Sequence, residues 1–425
     1  MSHLKVLFGA QASVLRTRQF KLLLLGNVNA ALGTVLVSPL LDSLTGPFAV
    51  SDVRIGLLMT AFTAPSVVGI PVVGMVSDRV GRKAVLVSGL LLFGLSGAAV
   101  ALTTDFRVAL ALRMLQGVGY AGITPVIITA IGDLYDGSRE ATAQGLRFAS
   151  SGLSQAAFPL LAGLVVGLAW QYPFAIYLLA VPAAGLVAVA FEEPRPTPES
   201  EPSASDAAPD GGSAPDGLAY VRSLLRLCLH PKIAAVLVAF IVPAFLYMAF
   251  LTYNSFLVVR VLDSSPGVAG VLTTVVSLIY ALTASQAGRI SDYFGSRVIP
   301  LVVGSLCMGG GLSLAAMAGS VPVAMLGIAV MGTGIGLAFA LLRSVLTRLA
   351  PEQFRGGLVG VGESVIRLAN TIAPVALGWL VAVFGPMTGP NLAIRYSLLV
   401  VGVGGAAVGV VAMLAARAAA PVTGR

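Results

Sequence analysis

The chain has 425 residues, of which 57% are hydrophobic and only 10% are charged, and its mean hydropathy is +0.94. A soluble domain carries roughly 25% charged residues and has no core large enough for so much apolar surface. This composition excludes an ordinary soluble protein and indicates lipid as the solvent of most of the chain. Two cysteines and two histidines are too few for a disulfide framework or for a Cys- or His-based metal site, so no cofactor is expected.

Apolar runs of about 20 residues recur along the chain, and each could cross roughly 30 Å of hydrocarbon as a helix. The runs are continuous rather than alternating, which argues against barrel strands. We predict an all-α membrane protein with twelve transmembrane helices. The predicted spans cover residues 22–42, 55–76, 84–103, 108–134, 141–167, 172–191, 233–257, 267–287, 298–318, 322–349, 357–384 and 393–416.

The net charge of +8 would suit a nucleic-acid partner, but the basic residues are distributed unevenly between the two sides of the predicted membrane. Eighteen Lys and Arg fall in the connections on one side, and only Arg54, Arg107, Arg260 and Arg395 fall on the other. Cytoplasmic connections carry such an excess. We therefore predict a multi-pass protein of the cell membrane with both termini in the cytoplasm, and no nucleic-acid partner.

A change of composition divides the chain into residues 1–191, 192–232 and 233–425. Residues 192–216 are rich in proline, glutamate and aspartate, which predicts an extended cytoplasmic linker without a core. The segment after it carries Arg222 and Arg226 on one helical face among leucines, which predicts a helix lying at the membrane surface. Each flanking part holds six predicted spans.

The two flanking parts repeat one another. The hairpin Gly74-Met-Val-Ser-Asp78-Arg79-Val-Gly81-Arg82-Lys83 returns as Gly288-Arg-Ile-Ser-Asp292-Tyr-Phe-Gly295-Ser-Arg297, at an offset of 214 residues. Glycines and prolines keep the same step through both parts. The positions predicted to allow helix bending and close packing are Gly117, Gly119, Pro159, Gly163, Pro374 and Gly378. Because six spans is an even number, the halves share one orientation and form two pseudo-symmetric six-helix bundles.

These motifs resemble those of the major facilitator superfamily. The first hairpin matches that family's loop signature G-x-x-x-D-R-x-G-R-R/K, and Arg113-Met-Leu-Gln116-Gly117-Val-Gly119-Tyr-Ala121 is similar to its fourth-helix signature R-x-x-Q-G-x-G-x-A. The resemblance covers essentially the whole chain and implies a transporter rather than an enzyme. The family's antiporter signature is degraded here, since Phe158 occupies a glycine position of that motif.

The resemblance also implies a gate at the hairpins. Asp78 would cap the N-terminus of the eleventh helix, its twin Asp292 would face the fifth helix, and Arg82 would pair with Asp133. Alternatively, the basic residues of the hairpin only fix the orientation of the helices in the membrane. The residues assigned to the gate are Gly74, Asp78, Arg79, Gly81, Arg82, Lys83, Asp133, Gly288, Asp292, Gly295 and Arg297.

Two residues are candidates for proton coupling. Arg113 is predicted inside the membrane, where a lone charge costs at least about 2.5–3.5 kcal/mol near the centre and normally faces a wet cavity or a carboxylate. The alternative is an arginine that ties backbone carbonyls together. Asp42, near the end of the first span, is the candidate carboxylate, unless it is a solvated helix-end residue. Glu363 precedes Arg367 by four residues, so we expect these two to pair within one helix.

Polar and aromatic side chains on several spans are candidates to bind a substrate. They are Asn27, Gln116, Tyr120, Gln155, Tyr253, Asn254 and Tyr280. The small number of charges and the several aromatic side chains favour a hydrophobic or neutral solute. The resemblance implies that the protein exports it in exchange for protons, and we expect a monomer. Import of a sugar or carboxylate by a symporter or uniporter is the alternative within the same architecture. A non-transporting receptor or scaffold is the alternative of another class.

Overall fold

Apolar runs in lipid leave the backbone no hydrogen-bond partner but itself, and the chain accordingly folds into helices. The computed structural model describes residues 14–193, 217–349, 351 and 354–419, and within them it contains helices only. The predicted twelve spans are confirmed. In chain order, the first to twelfth spans are Arg18–Phe48, Asp52–Ile70, Arg82–Leu102, Phe106–Leu134, Gly137–Val165, Tyr172–Ala190, Pro231–Val261, Pro266–Tyr293, Val298–Met317, Val321–Leu349, Arg355–Thr388 and Pro390–Ala418. The second helix continues as Leu57–Val80.

Several spans change helix type near the same end of the molecule, and two of these changes position charged side chains. The first span passes through a short 3₁₀ turn at Ser38–Leu40, where Pro39 cannot donate a helical hydrogen bond. The seventh span ends in a π turn at Leu257–Val261. Such turns re-aim the side chains that they carry and are frequent at functional sites. Here they carry Asp42, just after the first turn, and Arg260 within the second.

The twelve spans form two six-helix bundles, and the bundles meet along two related seams. At one seam, the hydroxyl of Thr60 donates to the carbonyl of Thr371 over 3.1 Å. At the other, the hydroxyl of Thr274 donates to the carbonyl of Ala156. Each residue of the second contact is the twin of one in the first, at the offset of 214 or 215 residues. The duplication read from the sequence therefore appears as a pseudo-twofold relation between the halves.

The repeated glycines lie where helices of one half approach closely. A Cβ added at Gly117 would meet the carbonyl of Phe62, and one at the twin Gly332 would lie 3.0 Å from the carbonyl of Val276. Those two carbonyl partners are themselves twins. Only glycine allows a backbone to come this near. The same rule thus sets the packing of the fourth span on the second and of the tenth on the eighth.

The two ends of the molecule differ. We call the end that carries the two hairpins the hairpin end, and the opposite one the far end. Direct hydrogen bonds and ion pairs between the halves gather at the far end and midway along the two seams. At the hairpin end the side chain of Asp78 is 65% exposed. The halves are thus joined at the far end and parted at the hairpin end.

A short helix, Gly217–Cys228, precedes the seventh span, as the sequence predicts. Arg222 and Arg226 are exposed on it. The ring of Tyr220 packs against that of Phe354, with the two centroids 5.3 Å apart. The short helix therefore contacts the residue just before the eleventh span. Most of the predicted linker, residues 194–216, lies outside the described residues.

Candidate functional site

A cavity of about 190 Å³ lies between the two bundles. Six of its fourteen lining residues are apolar or glycine, and the other eight carry polar side chains that come from both halves. The lining residues are Ala30, Ala31, Gly33, Thr34, Phe62, Thr63, Ser66, Tyr120 and Gln155 from the first half, and Tyr247, Met248, Leu251, Arg367 and Asn370 from the second. Small-molecule sites combine apolar walls with convergent polar groups, and this cavity has both, with more polar groups than is usual.

The far end is held by an ion cluster that bridges the halves, which we call the far-end clasp. It consists of Arg260 from the seventh span with Asp42 and Asp52 from the first half. One guanidinium nitrogen donates to Asp42, and another lies 2.6 Å from Asp52. The ring of Phe256 lies 5.0 Å from the guanidinium carbon. Two carboxylates share one cation, so the clasp has an excess negative charge.

Arg113 lies directly behind the cavity wall and is fully buried, with 0% of its surface exposed. Its guanidinium donates to the carbonyl of Gly33 over 2.9 Å, to the carbonyl of Leu58 over 3.2 Å and to Tyr177 over 3.3 Å. It also donates to Gln116. These partners belong to the first, second, fourth and sixth spans. No carboxylate pairs with it in the described part of the chain. Its contacts are therefore those of a structural arginine that links the backbones of neighbouring helices.

Each hairpin contains a glycine with a positive φ. Gly81 has φ of 99° and Gly295 has φ of 57°, which other residues rarely adopt. Arg82 donates to Asp133 over 3.0 Å and also to Asp78, four residues before it. In this conformation Asp78 therefore pairs within its own half, and its predicted contact with the eleventh span is not made.

The N-terminus of the third span is capped by Glu193, which follows the sixth span. One carboxylate oxygen accepts the backbone N–H of Lys83 over 2.9 Å, and the other accepts that of Arg82. A carboxylate at this position satisfies free N–H groups and opposes the positive end of the helix dipole. Composition alone assigned Glu193 to the extended linker, whereas the structure folds it back onto the first hairpin.

A family model described as Major Facilitator Superfamily matches residues 23–263 and 236–425, which together span nearly the whole chain. The chain belongs to the major facilitator superfamily. Members are transporters and not enzymes, in agreement with the sequence analysis.

Two curated proteins from Bacillus subtilis (strain 168) are similar to this chain in sequence. The bacillibactin exporter is 32% identical over 150 residues, which cover 34% of this chain and 37% of the exporter. Multidrug resistance protein 2 is 25% identical over 363 residues, which cover 84% of this chain and 87% of that protein. The first match is thus confined to about a third of each protein, and the second extends over most of both.

A solved structure of the superfamily shows the same fold. The chain superimposes on a bacterial homologue of the human lysosomal transporter Spinster, in an inward-facing and unoccupied conformation, with a TM-score of 0.77. The match covers 95% of this chain and 97% of that one at 18% identity. Such a low identity shows the fold alone.

The predicted substrate-binding residues separate into two groups. Tyr120 and Gln155 line the cavity. The other five are Asn27, Gln116, Tyr253, Asn254 and Tyr280, and they do not appear in its lining. Among them, Asn27 donates to the carbonyl of Arg147 and Asn254 to that of Ala269. A role for these five in binding stays a prediction that the cavity does not support.

The structure adds charged residues that sequence reasoning did not select. The expected pairing of Glu363 with Arg367 is wrong, because Glu363 lies 2.6 Å from Arg343 of the tenth span. Arg147 of the fifth span is 5% exposed and bonded to Gln144 over 2.9 Å. The sequence signal for these residues is an arginine in the middle of an otherwise apolar span, the same signal that marks Arg113.

Proposed function

We propose that this protein is a secondary active transporter that works by alternating access, exporting small, largely apolar organic compounds in exchange for protons. The observation that carries the proposal is the asymmetry of the interface. One end is joined by an ion cluster, the other is parted, and a cavity lies between them. The relative named as a bacillibactin exporter supports the direction of transport, and the excess of basic residues supports a cytoplasmic hairpin end.

Alternating access requires contacts that form at one end when those at the other break. In the present state the far-end clasp is formed and Asp78 is free to leave its local partner. Movement of the hairpin ends toward each other would bring Asp78 to the positive N-terminus of the eleventh span. A partly buried contact of this kind contributes up to about 2 kcal/mol. Since 1.4 kcal/mol is a tenfold change in population, one such contact would bias the equilibrium roughly 10- to 30-fold.

Protons would enter the cycle at the far-end clasp. Because Asp42 and Asp52 share one guanidinium, closing that end buries an excess negative charge, and a proton taken up by Asp42 would remove it. A proton that crosses 100 mV gains roughly 2.3 kcal/mol, which corresponds to about fiftyfold accumulation of the exchanged compound. Arg113 would contribute by fixing the cavity wall.

Asp42→Asn is expected to uncouple transport from the proton gradient, since the amide cannot take up a proton. In proteoliposomes with the variant, we expect gradient-driven dye accumulation to fall at least tenfold. Exchange of dye in the absence of a gradient should continue. The measurement is flux of a dye and drug panel with and without an imposed pH gradient. Asp263→Asn is the matched control, because it removes a nearby carboxylate at a positive φ that asparagine tolerates. Retained pH dependence in Asp42→Asn would place the proton site elsewhere.

Asp78→Asn is expected to reduce transport about three- to tenfold at unchanged expression, because an amide loses the charge that opposes the helix dipole. The variant should also spend more time with the hairpin end parted. Flux in proteoliposomes gives the first quantity and labelling of a hairpin cysteine gives the second. Asp136→Asn, which removes an exposed carboxylate at the same end, serves as control. Equal flux in Asp78→Asn and wild type would remove the gate from the proposal.

A further inference from the structure

Arg367 is a permanently charged side chain on the wall of the central cavity that has no partner of its own. It lies twelve residues into the eleventh span, so its Cα is about 18 Å along that helix from its start. Its expected partner Glu363 is bound to Arg343 instead. The Arg367 guanidinium makes no hydrogen bond or ion pair with any residue in the described parts of the chain. A charge at this depth normally has a counter-ion.

Several other polar side chains of the lining have no hydrogen-bond partner among the described residues, and two of them carry amides. Gln155 comes from the fifth span and Asn370 from the eleventh, one helical turn beyond Arg367. Neither side chain is hydrogen-bonded within the described residues. Both side chains are half-buried, so each half presents an amide donor to the cavity that an occupant could accept.

The charges around the cavity have a net positive sign. Among the described residues that line it, none is a carboxylate. Arg147 and Arg343 lie close enough to interact electrostatically across the two halves, with Glu363 beside them. With Arg367, three guanidinium groups face one carboxylate. Arg113 lies behind the wall that Gly33 and Phe62 form, its guanidinium carbon 4.5 Å from the Phe62 ring centre, and adds to the positive potential.

We propose that the substrates of this cavity are organic acids, whose anionic group binds Arg367 while an apolar or aromatic body packs against Phe62, Tyr120, Met248 and Leu251. The inference rests on the proposed transport function and deepens it by naming the substrate class. Guanidinium is the group best suited to bind a carboxylate or phosphate with two parallel hydrogen bonds. Gln155 and Asn370 donate further bonds to the acid.

This assignment replaces the expectation of neutral solutes, which came from the low overall number of charges. A neutral occupant would leave Arg367 unpaired each time the cavity loses contact with water. An organic cation would meet like charge from Arg367 and Arg147. An amphipathic anion supplies both the missing counter-charge and the apolar surface that the rest of the cavity requires.

The test compares one carbon skeleton in three charge states. The probes are benzoate, 3-phenylpropionate and 1-naphthoate, each beside its primary amide and the amine of the same skeleton. Binding to the purified wild-type protein in nanodiscs is measured by equilibrium dialysis and thermal stabilisation. We expect at least one acid to bind tenfold or more tightly than its amide, and the amine to bind more weakly still. Arg367→Gln should reduce that preference to less than threefold, and Arg367→Lys should retain part of it.

Arg289→Gln is the matched control, since it removes an exposed arginine of the eighth span away from the cavity, and it should keep the full preference for the acid. Melting temperature and size-exclusion profiles show whether each variant is folded. If Arg367→Gln does not fold, the acid-to-amide ratio of the wild type alone decides. Equal or better binding of amides or amines overturns the assignment of acids while leaving the transport proposal intact. Absence of transport for every compound in the dye, drug and acid panels would instead contradict the proposed function.

Discussion

Arg113→Ala is expected to lower the melting temperature of the purified protein by at least about 3 °C and to abolish transport. The substitution leaves the carbonyls of Gly33 and Leu58 without their charged donor inside the bundle. Hydrogen bonds to charged groups contribute about 1.5–3 kcal/mol each, and a buried acceptor left unpaired adds its own cost. A loss of at least about 3 kcal/mol corresponds to this change in melting temperature.

The matched control is Arg107→Ala, which removes an exposed arginine from the far end of the same span and should change neither quantity. Arg113→Lys separates the two roles discussed for this residue. A lysine keeps the charge but cannot reach several acceptors in the fixed planar geometry of guanidinium. If Arg113→Lys restores stability but not transport, or if Arg113→Ala loses transport at an unchanged melting temperature, the residue acts in coupling rather than as a tie.

Arg260→Gln is expected to open the far end. Removing the shared cation leaves Asp42 and Asp52, both of the first half, without their partner across the boundary between the halves. Loss of one partner from a partly buried ion cluster costs about 2–3 kcal/mol, which raises the open population roughly 30- to 150-fold. Distances between spin labels at Gly46 and Gly319 report it, because an added Cβ at either position meets open space. Cys228 and Cys307 must be replaced first.

Arg395→Gln provides the comparison for this experiment. Arg395 is also at the far end, but it donates to the carbonyl of Ala318 over 2.9 Å within its own half. Its removal should leave the distance distribution unchanged. An Arg260→Gln protein with the same distribution as wild type would show that helix packing, and not the clasp, holds the far end closed.

Sequence reasoning predicted the architecture because its signals are local. Hydrophobic run length gives the spans, and a glycine such as Gly117 is required wherever two backbones approach, so its twin Gly332 reveals the duplicate contact. The contacts between halves have no such signal. Nothing near Arg260 in the chain indicates that Asp42 is its partner, since more than 200 residues separate them.

The candidate site was predicted less completely, for two physical reasons. Spans that are apolar all round do not show which face meets the cavity, so Asn254 was selected although it bonds a neighbouring helix. A neighbour from another helix can also displace the partner that the spacing within one helix predicts. Glu363 and Arg367 have the spacing of a helical ion pair, yet Arg343 takes the carboxylate and leaves Arg367 unpaired.

At two glycines of the seam between the fifth and eighth spans, backbone packs directly against backbone. An added Cβ at Gly163 would lie 2.6 Å from the carbonyl of Pro266, and one at Gly270 would meet the carbonyl of Pro159. At these two points backbone meets backbone with no side chain between, so these contacts can part and rejoin with no rotamer exchange. The activation barrier for turnover should therefore come from ions and cargo rather than from side-chain repacking, and bulky substitutions along this line should slow the cycle even where they leave both end states intact.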